Sequence, residues 1–373
     1  MRIHSGLSYI YEFSTPREEI GFTMTRGRLR DYGKRWTGLS PFAIGKKPAD
    51  ADLIHSYNGI PLGSKPFVIS GESFIPRLKE GRRSALPAKW LAQRMLVSDR
   101  CRSIHPISEN AAKIVRDWNR GAADYDRLIG KIEVVYPSVP KIEPLPERDA
   151  PGNGPLELVF VGNHFGRKGG IACLLLSDLL TDAGIDHRLN IIGRQEAHEG
   201  IWTDTSADYY RDMMRKERPN VRFTGRIPNE EVLDILRRAH FTLLPTLDDT
   251  FGFSVLEAMT FGCVPIVSGI RALPEVVEDD RSGVLLDVET DSLDRWKYLT
   301  RDPAQRLTDA YRKRIDDTQH RFAADMKAAI LRIMDDPALY GRMSRRSHEI
   351  VSERHHPTLQ SEKWRDIYQR ALA

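Results

Sequence analysis

The stretch Phe241–Val267, FTLLPTLDDTFGFSVLEAMTFGCVPIV, admits few backbone arrangements. FTLLP is the short apolar run that a parallel strand buried on both faces requires, and it stops at Pro245. The loop Thr246–Phe253 carries two acids, Asp248 and Asp249, and one glycine, Gly252. A helix is predicted from near Ser254, whose hydroxyl can cap it, with Glu257 in its first turn. Gly262 and Pro265 end that helix, and CVPIV begins the next strand. A strand, an acidic glycine-bearing loop and a helix N-terminus make a seat for a negatively charged ligand at the carboxyl edge of an α/β sheet. Glu257 does not suit a phosphate. A carboxylate accepts hydrogen bonds, and the paired hydroxyls of a ribose offer them.

The same alternation extends to both sides. LELVFVG, HRLNIIG, NVRFTGRI, FTLLP, CVPIVS and SGVLLDV read as six strands, with helices over IACLLLSDLLTDAG and EEVLDILRRA between them. This order predicts a doubly wound parallel sheet. Upstream, ADADLIHSYN (a strand ending at His55), KPFVISGES, CRSIHPIS and KIEVVYPSV read as strands. A helix is expected from about Arg82 to Leu96, and Ser108 is expected to cap the helix ENAAKIVRDW. Residues 1–50 are arginine-rich and poorly patterned, with few clean strands. Six prolines and two glycines between Tyr136 and Pro155 mark a linker. The expected division is residues 1–145, an abbreviated Rossmann-like domain, and residues 146–356, a second one. Leu359–Ala373 is an amphipathic helix with Trp364, Ile367 and Tyr368 along one side.

Two domains are also what 373 residues lead one to expect. No apolar run approaches the roughly 20 residues of a membrane-spanning helix, and MRIHSGLSYIYEF lacks the pattern of a signal peptide. Cys101, Cys173 and Cys263 are scattered, so they read as reduced core residues of a cytoplasmic protein and not as a disulfide or zinc framework. Residues 1–100 hold 17 Lys and Arg against 9 Asp and Glu, while the whole chain is only +4. A basic N-terminal part suits an anionic acceptor or an anionic membrane surface, or it is simply a solvated face. It lacks interleaved aromatic and basic residues, so nucleic acid is not indicated.

NHFGRKGG, Asn163–Gly170, follows a strand and opens a helix. Arg167 and Lys168 can neutralise a diphosphate, and Gly169 and Gly170 let backbone amides approach it closely. The bland reading of this loop is a solvated turn with two exposed cations.

Asp249 and Glu257 enclose seven residues, and DTFGFSVLEAMTFGCVPIV resembles the E-x7-E signature of the retaining glycosyltransferases of family 4, with aspartate at the first position. The resemblance runs from about Leu156 to Val288. It implies an α/β GT-B fold, two Rossmann-like domains facing across a cleft, with a C-terminal helix (about 357–373) crossing back to the N-terminal, acceptor-side domain. It puts Lys168 at the lysine that holds the donor pyrophosphate and Asn163 at the usual arginine position, with Arg167 as the substitute cation. Glu257 then holds the ribose and Asp249 faces the donor sugar. The amides of Phe251, Gly252 and Phe253 meet sugar hydroxyls and phosphate. Gly225, Arg226 and Ile227 sit near the base, and Gly193 lines the same pocket. Glu72, in PFVISGES, takes the place of a functional histidine, with His55 as an alternative. The implied catalytic set is Asp249, Lys168 and Glu72.

The activity so implied is metal-independent hexosyl transfer from a nucleoside-diphosphate sugar, UDP or GDP, to a hydroxyl of a saccharide, lipid-linked or other anionic acceptor. Polysaccharide or glycolipid assembly, in the cytoplasm or peripherally at the inner membrane face, is the setting. A nucleotide-sugar epimerase and a non-catalytic nucleotide-sugar-binding protein of the same fold are the alternatives. A nicotinamide oxidoreductase is disfavoured, because no G-x-G-x-x-G follows a first strand.

Overall fold

The computed structural model describes residues 1–6, 13–27, 30–31, 41–44, 50–78, 86–141, 144–147, 149–152, 154–194, 212–300 and 302–373. Much of the arginine-rich stretch and the expected helix start at Arg82 lie outside them. The chain forms two compact units, Met1–Ile142 with Glu353–Ala373, and Glu143–Ser352.

The first unit opens on β1 (Arg2–Gly6) and β2 (Thr23–Gly27), two parallel strands in a stretch that sequence patterning leaves unassigned. The reason is chemical. β1 buries His4 and Ser5 beside Ile3, and β2 is a mostly exposed edge strand, so neither presents an apolar run. Two short strands, β3 (Arg30–Asp31) and β4 (Phe42–Ile44), follow. Next come β5 (Leu53–Tyr57), which continues past His55, then β6 (Ile60–Pro61), β7 (Phe67–Gly71) and β8 (Cys101–Pro106). The main sheet runs β2-β1-β5-β7-β8, and β3, β4 and β6 form a small separate one. Side chains alternate across it as the pleat demands. Ile54, Phe67, Ile69 and Ile104 enter one core, and Ile3, Leu53 and Val68 enter the other.

Helices α1 (Leu86–Val97), α2 (Glu109–Trp118) and α3 (Tyr125–Ile129) belong to this unit. Ser108 caps α2 as expected, its Oγ accepting the Ala111 amide at 2.9 Å. KIEVVYPSV is not a strand. It forms one bridge, Ile132 to Ile104; the Val135 amide also donates to the Pro106 carbonyl at 3.1 Å, but Pro106 has no amide to complete a second bridge.

The second unit holds all six expected strands: β9 (Leu156–Val161), β10 (His187–Ile192), β11 (Val221–Gly225), β12 (Phe241–Leu244), β13 (Val264–Ser268) and β14 (Val284–Leu286). All pair in parallel in the order β11-β10-β9-β12-β13-β14. Order reverses between β9 and β12, and that is where ligands settle in open parallel sheets. The helices among the described residues are α4 (Gly170–Asp182), α5 (Asn229–Arg238), α6 (Phe253–Thr260), α7 (Leu273–Val276), α8 (Pro303–Arg306), α9 (Asp309–Met334) and α10 (Pro337–Arg354). The cap of α6 is a correction. The helix starts at Phe253 from a left-handed Gly252 (φ 84°), Ser254 does not cap it, and Glu257 falls beyond the first turn.

The final helix, α11 (Pro357–Leu372), returns to the first unit, where Trp364, Ile367 and Tyr368 bury against Ile3, Leu53 and Val68. His55 does not line a site. Its ring is fully buried, 2.7 Å from the Tyr368 hydroxyl and 2.6 Å from that of Ser70, with the Trp364 ring centre 4.3 Å away at a 42° tilt.

Candidate active site

The loops that leave β9 and β12 meet directly, and glycine makes this possible. Gly169 is left-handed (φ 86°), and a Cβ there would lie 2.0 Å from the Pro245 carbonyl oxygen. A Cβ on Gly193, at φ 128°, would lie 2.2 Å from the Gly162 carbonyl oxygen. Gly169→Ala should therefore cost the second unit on the order of 3 kcal/mol, from strain and backbone displacement together. Chemical denaturation gives the value, and an unchanged midpoint would refute the close approach.

The contact between loops is then polar. The Arg167 carbonyl accepts from the Leu247 amide at 3.0 Å and the Thr246 hydroxyl at 3.1 Å, and its guanidinium donates to the Asp248 carbonyl. Lys168 Nζ lies 2.8 Å from Asp249 Oδ2 in an ion pair. Asp249 Oδ1 accepts the amides of Phe251 at 3.2 Å and Gly252 at 3.1 Å. Burial alone would raise the Asp249 pKa. The Lys168 and Arg167 cations and the loop amides outweigh it and hold the carboxyl at about 2. This carboxylate is charged at any physiological pH.

Arg271 escaped the sequence reading, where it is a lone cation in SGIRALPEV. Its buried guanidinium donates Nε and Nη2 to Asp248 Oδ1 at 3.1 and 2.9 Å, and its backbone adopts φ 53° although it is not glycine. Cations and acids thus interleave: Arg271 with the Asp248 carboxylate, Arg167 with the Asp248 carbonyl, Lys168 with Asp249. Only the fold could disclose this, because Arg271 reaches Asp248 across β13.

The expected site residues divide as follows. Arg167, Lys168, Asp249, Phe251 and Gly252 are brought together. Glu257 lies buried in α6, and Phe253 opens that helix, its ring 5.2 Å from that of Phe251. Asn163 is exposed on the β9 loop. Gly193 ends β10 against that loop. Arg226 is exposed after β11, while Ile227 packs onto the core beside Leu236. Glu72 belongs to the first unit, after β7, and meets Arg77 at 3.2 Å and Asn58 at 3.5 Å. The amides of Phe251 and Gly252, expected to meet a sugar, are here taken by Asp249.

Residues 142–315 match the family model described as Glycosyl transferases group 1. A glycogen synthase of Mycobacterium tuberculosis is 32% identical over 136 residues, which cover 36% of this chain and 31% of the relative. A D-inositol 3-phosphate glycosyltransferase of Pseudarthrobacter chlorophenolicus is 25% identical over 68% of this chain and 58% of its own length. The matched segments thus span 31% and 58% of the length of these curated relatives. Among solved structures, HepE of Anabaena in complex with UDP aligns with a TM-score of 0.60 at 10% identity, over 99% of both chains. A glycosyltransferase from Rickettsia africae aligns with a TM-score of 0.57 at 11% identity, over all of this chain and 98% of the other. The fold is therefore GT-B, and residues 142–315 are a segment similar to the group 1 glycosyl transferases.

Proposed function

We propose that this protein is a retaining glycosyltransferase that moves a hexosyl group from a nucleoside-diphosphate sugar to an acceptor hydroxyl. The observation that carries the reading is the pairing of Lys168 and Arg167 with the Asp248–Asp249 turn, at the reversal point of the parallel sheet and beside the start of α6. It is supported by the match to group 1 glycosyl transferases and by HepE, whose structures hold UDP and UDP-glucose. UDP is on that account the first donor to try.

In this reading the C1–oxygen bond to the diphosphate breaks and leaves negative charge on the phosphate. Lys168, Arg167 and the amides at the start of α6 stabilise that charge more in the transition state than in the bound donor. The acceptor hydroxyl attacks from the face the diphosphate leaves, and the leaving phosphate oxygen takes its proton. Asp249 keeps Lys168 aimed and is a positioning residue. Glu257 accepts the ribose hydroxyls. Glu72 belongs to an acceptor side formed by the first unit. These cations do the work of a metal. Glu257→Ala is expected to weaken nucleotide binding by about 10- to 100-fold, the worth of hydrogen bonds to a charged acceptor, with calorimetry as the check. Unchanged affinity would remove Glu257 from the ribose.

A thermal-shift titration with UDP, GDP, ADP, dTDP and their sugar conjugates tests the reading. A ligand at 100 times its Kd adds about 2.7 kcal/mol of stability. One base standing out supports the donor pocket, and no response from any of them sinks it. Asp249, already satisfied within the chain, favours one second reading, a nucleotide-sugar-binding protein without turnover. Product analysis separates the two.

A further inference from the structure

A groove of about 470 Å³ lies in the second unit, between α9 and the chain that follows β14. That chain folds back on itself through an antiparallel bridge between Thr290 and Trp296, and Glu289, Trp296 and Tyr298 line the groove from this side. Helix α9 lines the other with Lys313, Arg314, Asp317 and Arg321, at three- and four-residue steps along one face. Trp296 is buried, its ring centre 5.7 Å from that of Tyr298 and 6.0 Å from that of Tyr311. The volume falls in the range of small-ligand sites. None of these residues belongs to the donor turn or to the first unit.

The charges around the groove are paired, with one exception. Glu289 Oε2 accepts from Lys297 Nζ at 3.1 Å and from the Tyr298 hydroxyl at 2.9 Å. Lys313 Nζ donates to both oxygens of Asp317, at 2.9 and 3.0 Å, and Arg321 lies 3.7 Å from Asp287. Arg314 has no carboxylate within ion-pair distance among the described residues. Its guanidinium lies over the Tyr298 ring instead, 3.8 Å from the ring centre. A guanidinium braced on an aromatic ring is pre-oriented, and with five donors and no acceptor its complement is an oxyanion. The neighbours narrow the choice. A bare inorganic anion would meet the Glu289 and Asp317 carboxylates as like charges. A hydroxylated ligand can donate to both of them, and a single carboxylate matches the single spare cation better than a phosphate of nearly two charges. We propose that this groove is a second ligand site, for an acidic saccharide bearing a hexuronate unit. It is separate from the donor and acceptor sides of the glycosyl-transfer reading and does not rest on that reading.

The test is calorimetric titration of the full chain with trigalacturonate, maltotriose and glucose 6-phosphate. Trigalacturonate should bind about tenfold or more tighter than maltotriose, the worth of a charge-assisted hydrogen bond, and less tightly as salt rises. Arg314→Gln should bring its affinity down to that of maltotriose. Arg314→Lys keeps the charge without the fork and should regain only part of the loss. Arg314 is exposed, so both variants should melt close to wild type. Saturating UDP should leave the trisaccharide in place. The Arg314 comparison needs no UDP, so it decides the site whether or not the donor reading holds. The proposal is overturned if wild type does not bind trigalacturonate, if Arg314→Gln binds it as wild type does, if glucose 6-phosphate binds more tightly, or if UDP displaces the trisaccharide.

Discussion

Lys168→Ala is expected to lower kcat/KM for sugar transfer by about two to three orders of magnitude, the usual cost of losing one preorganised partner of a developing negative charge. The side chain is well placed for that role. It is only 18% exposed, it comes from the turn that Gly169 presses against Pro245, and Asp249 aims it at 2.8 Å. The variant has a second consequence. It strands a 7%-exposed carboxylate whose pKa of about 2 depends on its cations, and an orphaned buried charge destabilises. Pairing it with Asp249→Asn removes that charge, so the double variant should regain part of the lost stability while regaining none of the activity. Steady-state kinetics and denaturation of the four proteins in the cycle separate the two effects. Turnover near that of wild type in Lys168→Ala would end the assignment. Lys168→Arg should not restore full activity, because a planar fork does not replace a compact ammonium in a fixed turn.

The second large effect is acid sensitivity of the first unit. His55, His105 and His355 are buried there. Burial pushes His55 and His105 down to about 3 and His355 to about 4, each from an ordinary value of 6.5. The unfolded chain therefore binds protons between pH 6.5 and about 3 that the folded unit refuses, and stability falls with pH across that window. The contribution is full above pH 6.5. By pH 4, each of His55 and His105 removes on the order of 3 kcal/mol, and the two together approach the whole stability of a typical domain. Asp249 works in a lower window. Its depressed pKa adds stability above the ordinary 3.8 that is lost only as pH falls toward 2. The first unit should consequently lose hydrogen-exchange protection near pH 5 while the second retains it. Equal protection in both units from pH 7 to pH 4 would contradict the buried, neutral state of these rings.

The second unit is most legible in its sequence at the central strands Phe241–Leu244 and Val264–Ser268, which are buried throughout and write short apolar runs, and least so at the exposed edge strand Val221–Gly225. The first unit shows β5, β7 and β8 in its sequence and hides only the two leading strands of that sheet. β1 fills its buried positions with His4 and Ser5, and β2 lies at an edge, so period-2 alternation never appears in the letters. KIEVVYPSV erred the other way, a β-rich run whose pairing beside β8 stops at Pro106.

What the sequence by itself determined is the kind of site: a strand-end turn with adjacent cations, a second turn with adjacent acids, and glycines where both must bend. Those are local properties, fixed by side-chain charge and by the φ that only glycine adopts cheaply. Tertiary structure alone decided how the charges are spent. Lys168 and Asp249 are 81 residues apart and Arg271 and Asp248 are 23 apart, so whether acid meets cation or faces an open pocket depends on strand order. The same holds for His55. A histidine at a strand end resembles a site residue until the returning helix α11 lays Tyr368 and Trp364 on it and excludes water.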